Sequence, residues 1–98
     1  MICHLVLYQM KSELNEESQN QLVRLALKHL PVLPGVKNLR AGKSINGPQK
    51  GFTVALAMDF DDEAALEVYR VHPDHQKFVK EIAGPLVSDI LRFEFSWS

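Results

Sequence analysis

The segment Ile2–Met10, ICHLVLYQM, is apolar on both of its faces. In an extended chain successive side chains point to opposite sides. Ile2, His4, Val6 and Tyr8 therefore face one way, and Cys3, Leu5 and Leu7 the other. A strand with two such faces has to be covered on both. With 98 residues the chain has sequence for one core and no second one, which predicts a single domain over residues 1–98. Helices of this chain can cover one face of the strand, and the other face must be closed by something else.

The rest of the chain supplies those helices and three more strands. Asn15 is placed to cap a helix, and Glu16 and Glu17 follow where the helix dipole favours acids. Leu22, Leu25, Ala26 and His29 recur at helical spacing, with Val23, Leu27 and Leu30 widening the stripe. Lys28 and His29 suit the last turn, and Pro31, Pro34 and Gly35 stop the helix. A second strand from Val36 to about Ser44 is the most polar, as expected of an edge. Asn46-Gly47-Pro48 marks a turn. The third strand, Phe52 to Phe60, alternates a bulky face (Phe52, Val54, Leu56, Met58, Phe60) with a small one (Thr53, Ala55, Ala57, Asp59).

Asp61, Asp62 and Glu63 open a short helix through Ala65, Leu66, Val68 and Tyr69; with Asp59, this acidic run reads as a helix start with a solvated face. Pro73 ends that helix and biases His72 away from helical dihedrals. Asp74 is the expected cap of the next helix, whose apolar face is Phe78, Val79 and Ile82 and which Gly84-Pro85 should interrupt. The last strand, about Asp89 to Trp97, sets Leu91, Phe93, Phe95 and Trp97 on one face and Arg92, Glu94 and Ser96 on the other.

Strand, helix, strand, strand, helices, strand is the split βαβ order of an α+β, ferredoxin-like fold. Its antiparallel four-stranded sheet carries helices on one face. The bare face then needs a second sheet, which predicts a homodimer packed sheet to sheet over roughly 2,000 Å² or more. Tyr8 and Trp97, at strand ends, read as core or interface anchors.

A formal net charge of −1 with scattered basic residues gives no reason to expect a nucleic-acid partner. The lone Cys3 excludes an internal disulfide and suits a reducing compartment; within an apolar strand it should be inert. No apolar run approaches the roughly 20 residues that span a bilayer, and the N-terminal sequence lacks a basic region followed by an apolar stretch. No membrane association and a cytoplasmic location are the expectations.

Chemistry concentrates in Tyr69-Arg70-Val71-His72-Pro73-Asp74-His75. Imidazole titrates nearest to neutral pH, so clustered histidines are where proton transfer or metal binding is sought first. His75, with His4 and Tyr69 as hydrogen-bonding partners, is the candidate base. A buried imidazole beside a phenol can start an enolate on a bound ketone or thioester without any cofactor. His72-x-x-His75 also has a metal-ligand spacing with His4 as a third donor. However, Pro73 splays the pair and no cysteine or free carboxylate completes the set, so neither metal nor cofactor is expected. His72 should bond to the backbone at the helix break, and His29 should meet its helix terminus or solvent.

These residues carry a resemblance that runs from end to end of the chain. Ile2-Cys3-His4-Leu5-Val6-Leu7-Tyr8, Leu33-Pro34-Gly35-Val36, Lys50-Gly51-Phe52-Thr53, the strand end Met58-Asp59-Phe60 and above all His72-Pro73-Asp74-His75 resemble the stress-responsive A/B barrel (Dabb) family. The resemblance implies a ferredoxin-like monomer paired into a dimeric α/β barrel. The family includes stress-associated plant proteins and a plant polyketide cyclase. In that cyclase the second histidine of the signature is the general base of an intramolecular aldol condensation. A preceding tyrosine and the first-strand histidine complete its polar constellation. By resemblance those roles fall on His75, Tyr69 and His4. The cyclase also has a tyrosine on its first helix, where this chain has Leu22, Val23, Leu25, Ala26 and Leu27. The expected function is a cofactor-independent acid/base enzyme, cyclase- or lyase-like, acting on an apolar carbonyl compound. The alternatives are a non-catalytic small-molecule binder and a structural stress-response oligomer.

Overall fold

The computed structural model describes residues 1–11 and 15–98. Its elements are β1 (Ile2–Met10), α1 (Glu16–His29), β2 (Lys37–Lys43), β3 (Val54–Phe60), α2 (Glu63–Val71), α3 (Pro73–Lys77), a π-helical turn (Phe78–Ala83), the short α4 (Gly84–Leu86) and β4 (Val87–Ser96). The four strands form one antiparallel sheet in the order β2-β3-β1-β4. The doubly apolar strand β1 is therefore central and the polar β2 lies at an edge, as its composition predicts. The ferredoxin-like α+β fold is borne out.

Local chemistry fixes most boundaries. The Asn15 side chain accepts from the Ser18 amide at the start of α1, and Asp62 accepts from the Ala65 amide at 2.8 Å to start α2. Gly35, at φ +81°, turns the chain out of the α1 end toward β2. At the α2–α3 break the cap is His72, not Asp74. Its Nδ1 accepts from the Asp74 amide at 3.1 Å, and Pro73 occupies the first helical position. A proline fits there because that amide would be unpaired in any case, and this makes the preceding residue the cap. His72 thus has the backbone task expected of it.

Gly84-Pro85 does not interrupt the helical segment, which runs from Pro73 to Leu86. The segment widens instead. Gly84 donates its amide to the Val79 carbonyl five residues back, and Phe78 and Ala83, five apart, are both buried. The extra residue in that turn is how a helix accommodates a proline that can donate no amide of its own. The α1 stripe is narrower than its sequence suggests. Leu22, Ala26 and Leu30 are buried, whereas Leu27 is 45% exposed and His29 lies in solvent. In α2, Leu66 and Tyr69 face inward and Val68 does not.

The core lies between the helices and the sheet face made by Val6, Tyr8, Met10, Leu56, Met58 and Phe60. The opposite sheet face carries no helix. Leu91, Phe93, Phe95 and Trp97 are 49%, 60%, 45% and 43% exposed there. Across the strands Leu5 pairs with Phe93 and Ala57, and Leu7 with Leu91 and Ala55. This face is consequently a ridge along β4 beside a trough of ≈ 550 Å³ over the small residues of β2 and β3.

Candidate functional site

His4, Tyr69 and His75 come together on the helix-covered side, in ring contact, while the hydrogen bonds found on the two imidazoles go to Glu94 and the Arg70 carbonyl and not to one another. β1 carries His4 in the sheet centre, α2 ends two residues after presenting Tyr69, and the proline break turns α3 back so that His75 meets that ring at a tilt. The His75 and Tyr69 centroids are 4.3 Å apart, and His4 meets Tyr69 edge-on at 5.9 Å. Phe60 closes the group from β3, 5.1 Å from Tyr69. Tyr69 and His4 are buried and His75 is half-buried.

Hydrogen bonding fixes both imidazoles. His75 Nδ1 lies 3.1 Å from the Arg70 carbonyl. A carbonyl can only accept, so Nδ1 carries the proton and the neutral ring keeps Nε2 as its basic nitrogen. His4 Nδ1 lies 2.8 Å from Glu94 Oε2, and the two residues are direct cross-strand partners between β1 and β4. The carboxylate orients His4 in the same tautomer. Glu94 was not anticipated from the sequence. Alternation puts it on the correct face, but only the register of two strands 90 residues apart brings it opposite His4.

Burial pushes the pKa of His4 down, against the opposing pull of Glu94. Burial likewise lowers His75, with smaller contributions in the same direction from His4, Arg92 and Arg70, while its bond to the Arg70 carbonyl opposes them. Burial raises Tyr8 to about 12 and raises Tyr69 beyond its ordinary range, so both phenols stay protonated at neutral pH. Burial also raises the thiol of Cys3.

These shifts have a measurable consequence. An imidazole that protonates less readily when folded leaves the unfolded chain binding more protons, so stability rises with pH. The contribution is complete above the unfolded value of about 6.5 and is lost as pH falls through it toward the lower folded values. Urea midpoints at one chain concentration should thus decline between about pH 7.5 and 5.5. His75→Gln should flatten that decline; an identical slope would mean that His75 does not contribute to it.

The cavity enclosed by His4, Tyr69 and His75 is small, ≈ 20 Å³, and is also lined by Val6, Tyr8, Leu56, Phe78, Val79, Ala83, Ile90 and Arg92. That is room for about one water. Among the described residues no group of three or more His, Cys, Asp or Glu side chains is arranged to hold a metal ion, and no helix is long and apolar enough to cross a membrane. The Nδ1 atoms of His72 and His75 are both engaged with backbone groups.

Comparison with known proteins matches this architecture. The chain is 23% identical to the olivetolic acid cyclase of Cannabis sativa over 77 residues, 76% of each protein. It superposes on a Dabb family protein of ferredoxin-like fold from Mesorhizobium loti with a TM-score of 0.85 at 27% identity, covering 99% of this chain and 96% of that one. A dimeric ferredoxin-like protein of unknown function from Thermobifida fusca gives 0.79 at 24% identity, covering 98% and 90%. The hydroxynitrile lyase of Passiflora edulis gives 0.78 at 21% identity, covering 96% and 90%, a likeness of fold. The family model for the stress-responsive A/B barrel domain matches residues 2–97. With fold, strand order and sequence in agreement, the chain belongs to the stress-responsive A/B barrel (Dabb) family.

Proposed function

We propose that this protein is a homodimeric, cofactor-independent acid/base enzyme in which His75 moves a proton on a carbonyl-containing small molecule. The observation that carries this reading is the bond from His75 Nδ1 to the Arg70 carbonyl. It leaves Nε2 as the base, and burial keeps the ring neutral at physiological pH. Tyr69, in contact with the His75 ring, is a phenol that stays protonated and can donate to a carbonyl oxygen as charge develops there. His4, steered by Glu94, serves as the second polar contact.

Two reactions suit the arrangement. In a cyclase-like reaction, Nε2 takes a proton from the carbon beside a carbonyl. The enolate then attacks a second carbonyl of the same molecule, and the proton returns to the new alkoxide. In a lyase-like reaction, Nε2 takes the hydroxyl proton of a cyanohydrin; the carbon–cyanide bond breaks, and cyanide leaves with the proton as a carbonyl forms. Similarity to a cyclase, and likeness of fold to a hydroxynitrile lyase, support these classes without choosing between them.

The test uses simple probes of each: exchange of the α-protons of 2-heptanone in deuterium oxide, and release of benzaldehyde from mandelonitrile. Wild type should exceed buffer in at least one assay, and His75→Ala should lower that excess about 100-fold or more, the usual contribution of a positioned base. A His75→Ala variant as active as wild type, or no excess over buffer in either assay, would end the enzymatic reading.

A cavity of ≈ 20 Å³ favours a second reading, in which the three rings only pack and the protein is a structural or ligand-storing oligomer. In that case His75→Ala would lower stability by only about 1 kcal/mol, the net worth of one hydrogen bond, because the Arg70 carbonyl keeps Gln76 as a donor, and there would be no activity to lose.

The dimer is proposed to form through the helix-free sheet face. A two-fold axis across it would lay the β4 ridge of each protomer, Leu91, Phe93, Phe95 and Trp97, into the trough beside Ala55 and Ala57 of its partner. The relative from Thermobifida fusca, described as dimeric, supports the assembly.

A further inference from the structure

We propose that Arg92 makes the histidine cavity selective for small amphiphilic carboxylates, with the guanidinium holding the carboxylate and the apolar wall holding the rest of the molecule. This rests on reading the His4, Tyr69 and His75 cavity as a ligand site, and it names the class of ligand.

The placement of Arg92 is unusual for an exposed arginine. It stands directly across from Val6 in the β1–β4 register, so it projects from the sheet face that the helices cover. Val6 is only 3% exposed, and both residues line the same cavity as the two histidines. The neighbouring charges are already committed. Glu94, next on the same face of β4, is bonded to His4, and Arg70 lies 3.6 Å from Glu67. Among the described residues Arg92 has no ion-pair partner of its own. Its charge is felt by His4, Tyr8, Tyr69 and His75 alike, so it acts on the whole group.

An unpaired guanidinium at the rim of a low-dielectric cavity is a recognition element for a planar anion. Its fork matches a carboxylate with two parallel hydrogen bonds. The remaining wall, made by Val6, Leu56, Phe78, Val79, Ala83 and Ile90 with the ring of Tyr8, offers mostly hydrocarbon to whatever follows the carboxylate. The arrangement therefore suits an apolar chain or ring with an acid group at its outer end. A ligand of this class must widen the cavity beyond its present ≈ 20 Å³. Val79 and Ala83 belong to the π-helical turn and its end, the part of the wall with the least regular backbone.

The experiment is a titration with hexanoate and with hexanamide, a neutral amide of the same chain length. Binding is read from the ¹H–¹⁵N imidazole signals of His4 and His75. Wild type should bind hexanoate about ten-fold or more tightly than hexanamide, as expected of one charge-assisted contact. Arg92→Gln should abolish that preference by weakening hexanoate alone, and Arg92→Lys should retain part of it. The side chain is exposed and unpaired, so both variants should melt with wild type.

Three outcomes would each overturn the assignment: equal affinity for acid and amide, undiminished hexanoate binding in Arg92→Gln, or no displacement of either imidazole signal by either probe. Failure of the proton-transfer assays would leave a positive binding result standing. Equal binding of acid and amide would in turn leave a positive exchange result standing.

Discussion

Replacing Phe93 with glutamate should convert the protein to monomers at micromolar concentration. Phe93 is 60% exposed in the isolated protomer, and it sits mid-ridge between Leu91 and Phe95 on the sheet face that no helix covers. If that face is closed by a second copy, the substitution places a carboxylate in a desolvated apolar layer. Symmetry puts it there twice. An unpaired buried carboxylate costs several kcal/mol, and each 1.4 kcal/mol is a factor of ten in the dissociation constant. The dimer should therefore weaken by about a thousand-fold or more. Sedimentation velocity on wild type and variant checks this directly. In wild type the melting temperature should rise with chain concentration, because only the dimer is stabilised by mass action. If the glutamate variant sediments as wild type does, the ridge is not the interface and the partner sheet must lie elsewhere.

The second large effect concerns Tyr69, where packing and chemistry can be separated. The ring is 2% exposed and touches His4, Phe60 and His75. Tyr69→Ala removes a buried aromatic from the junction of β1, β3, α2 and α3 and should cost about 3–5 kcal/mol of stability, as large-to-small core substitutions do. For a small domain that can be half of the total or more. Tyr69→Phe keeps the ring and deletes only the hydroxyl, so its urea midpoint should stay close to wild type. If the hydroxyl supplies the electrophilic contact proposed above, the phenylalanine variant should nevertheless lose about 10- to 100-fold in the proton-transfer assay that responds to His75. A phenylalanine variant with full activity would confine Tyr69 to packing, whatever the alanine variant does to the fold.

Two strands were legible from their two-residue alternation: in β3 the bulky face of Val54, Leu56, Met58 and Phe60 packs against the helices, whereas in β4 the apolar face of Leu91, Phe93, Phe95 and Trp97 is the one no helix covers. The gathering of His4, Tyr69 and His75 was legible for a different reason. His72-Pro73 forces the chain to reverse, and His4 lies on the same side of β1 as Val6 and Tyr8, the side the helices cover. What escaped the sequence were features that depend on register or on competition between neighbours. Glu94 meets His4 because two strands from opposite ends of the chain align at one position, and periodicity carries no information about that alignment. Arg92 could be assigned to a face but not to a cavity. Asp74 is a good cap by composition, yet Pro73 had already claimed the first helical position, which hands the cap to His72. The spacing in α1 drew Leu27 into the apolar stripe, although the covering surface is too narrow to reach it.

The π-helical turn also sets a rule about chain length. Phe78 and Ala83 both face the core across five residues, where an ordinary helix would need only four, and exposed Lys80 and Glu81 lie on the outside between them. One residue of the loop of backbone over the cavity is surplus to the helix itself. A chain of this fold one residue shorter between Phe78 and Ala83, and without the proline after Gly84, could close the turn to ordinary pitch. The roof over the histidines is thus a place where length can drift in evolution. Each such change would reshape the chamber from above, while the sheet floor and its hydrogen-bonded imidazoles stayed as they are.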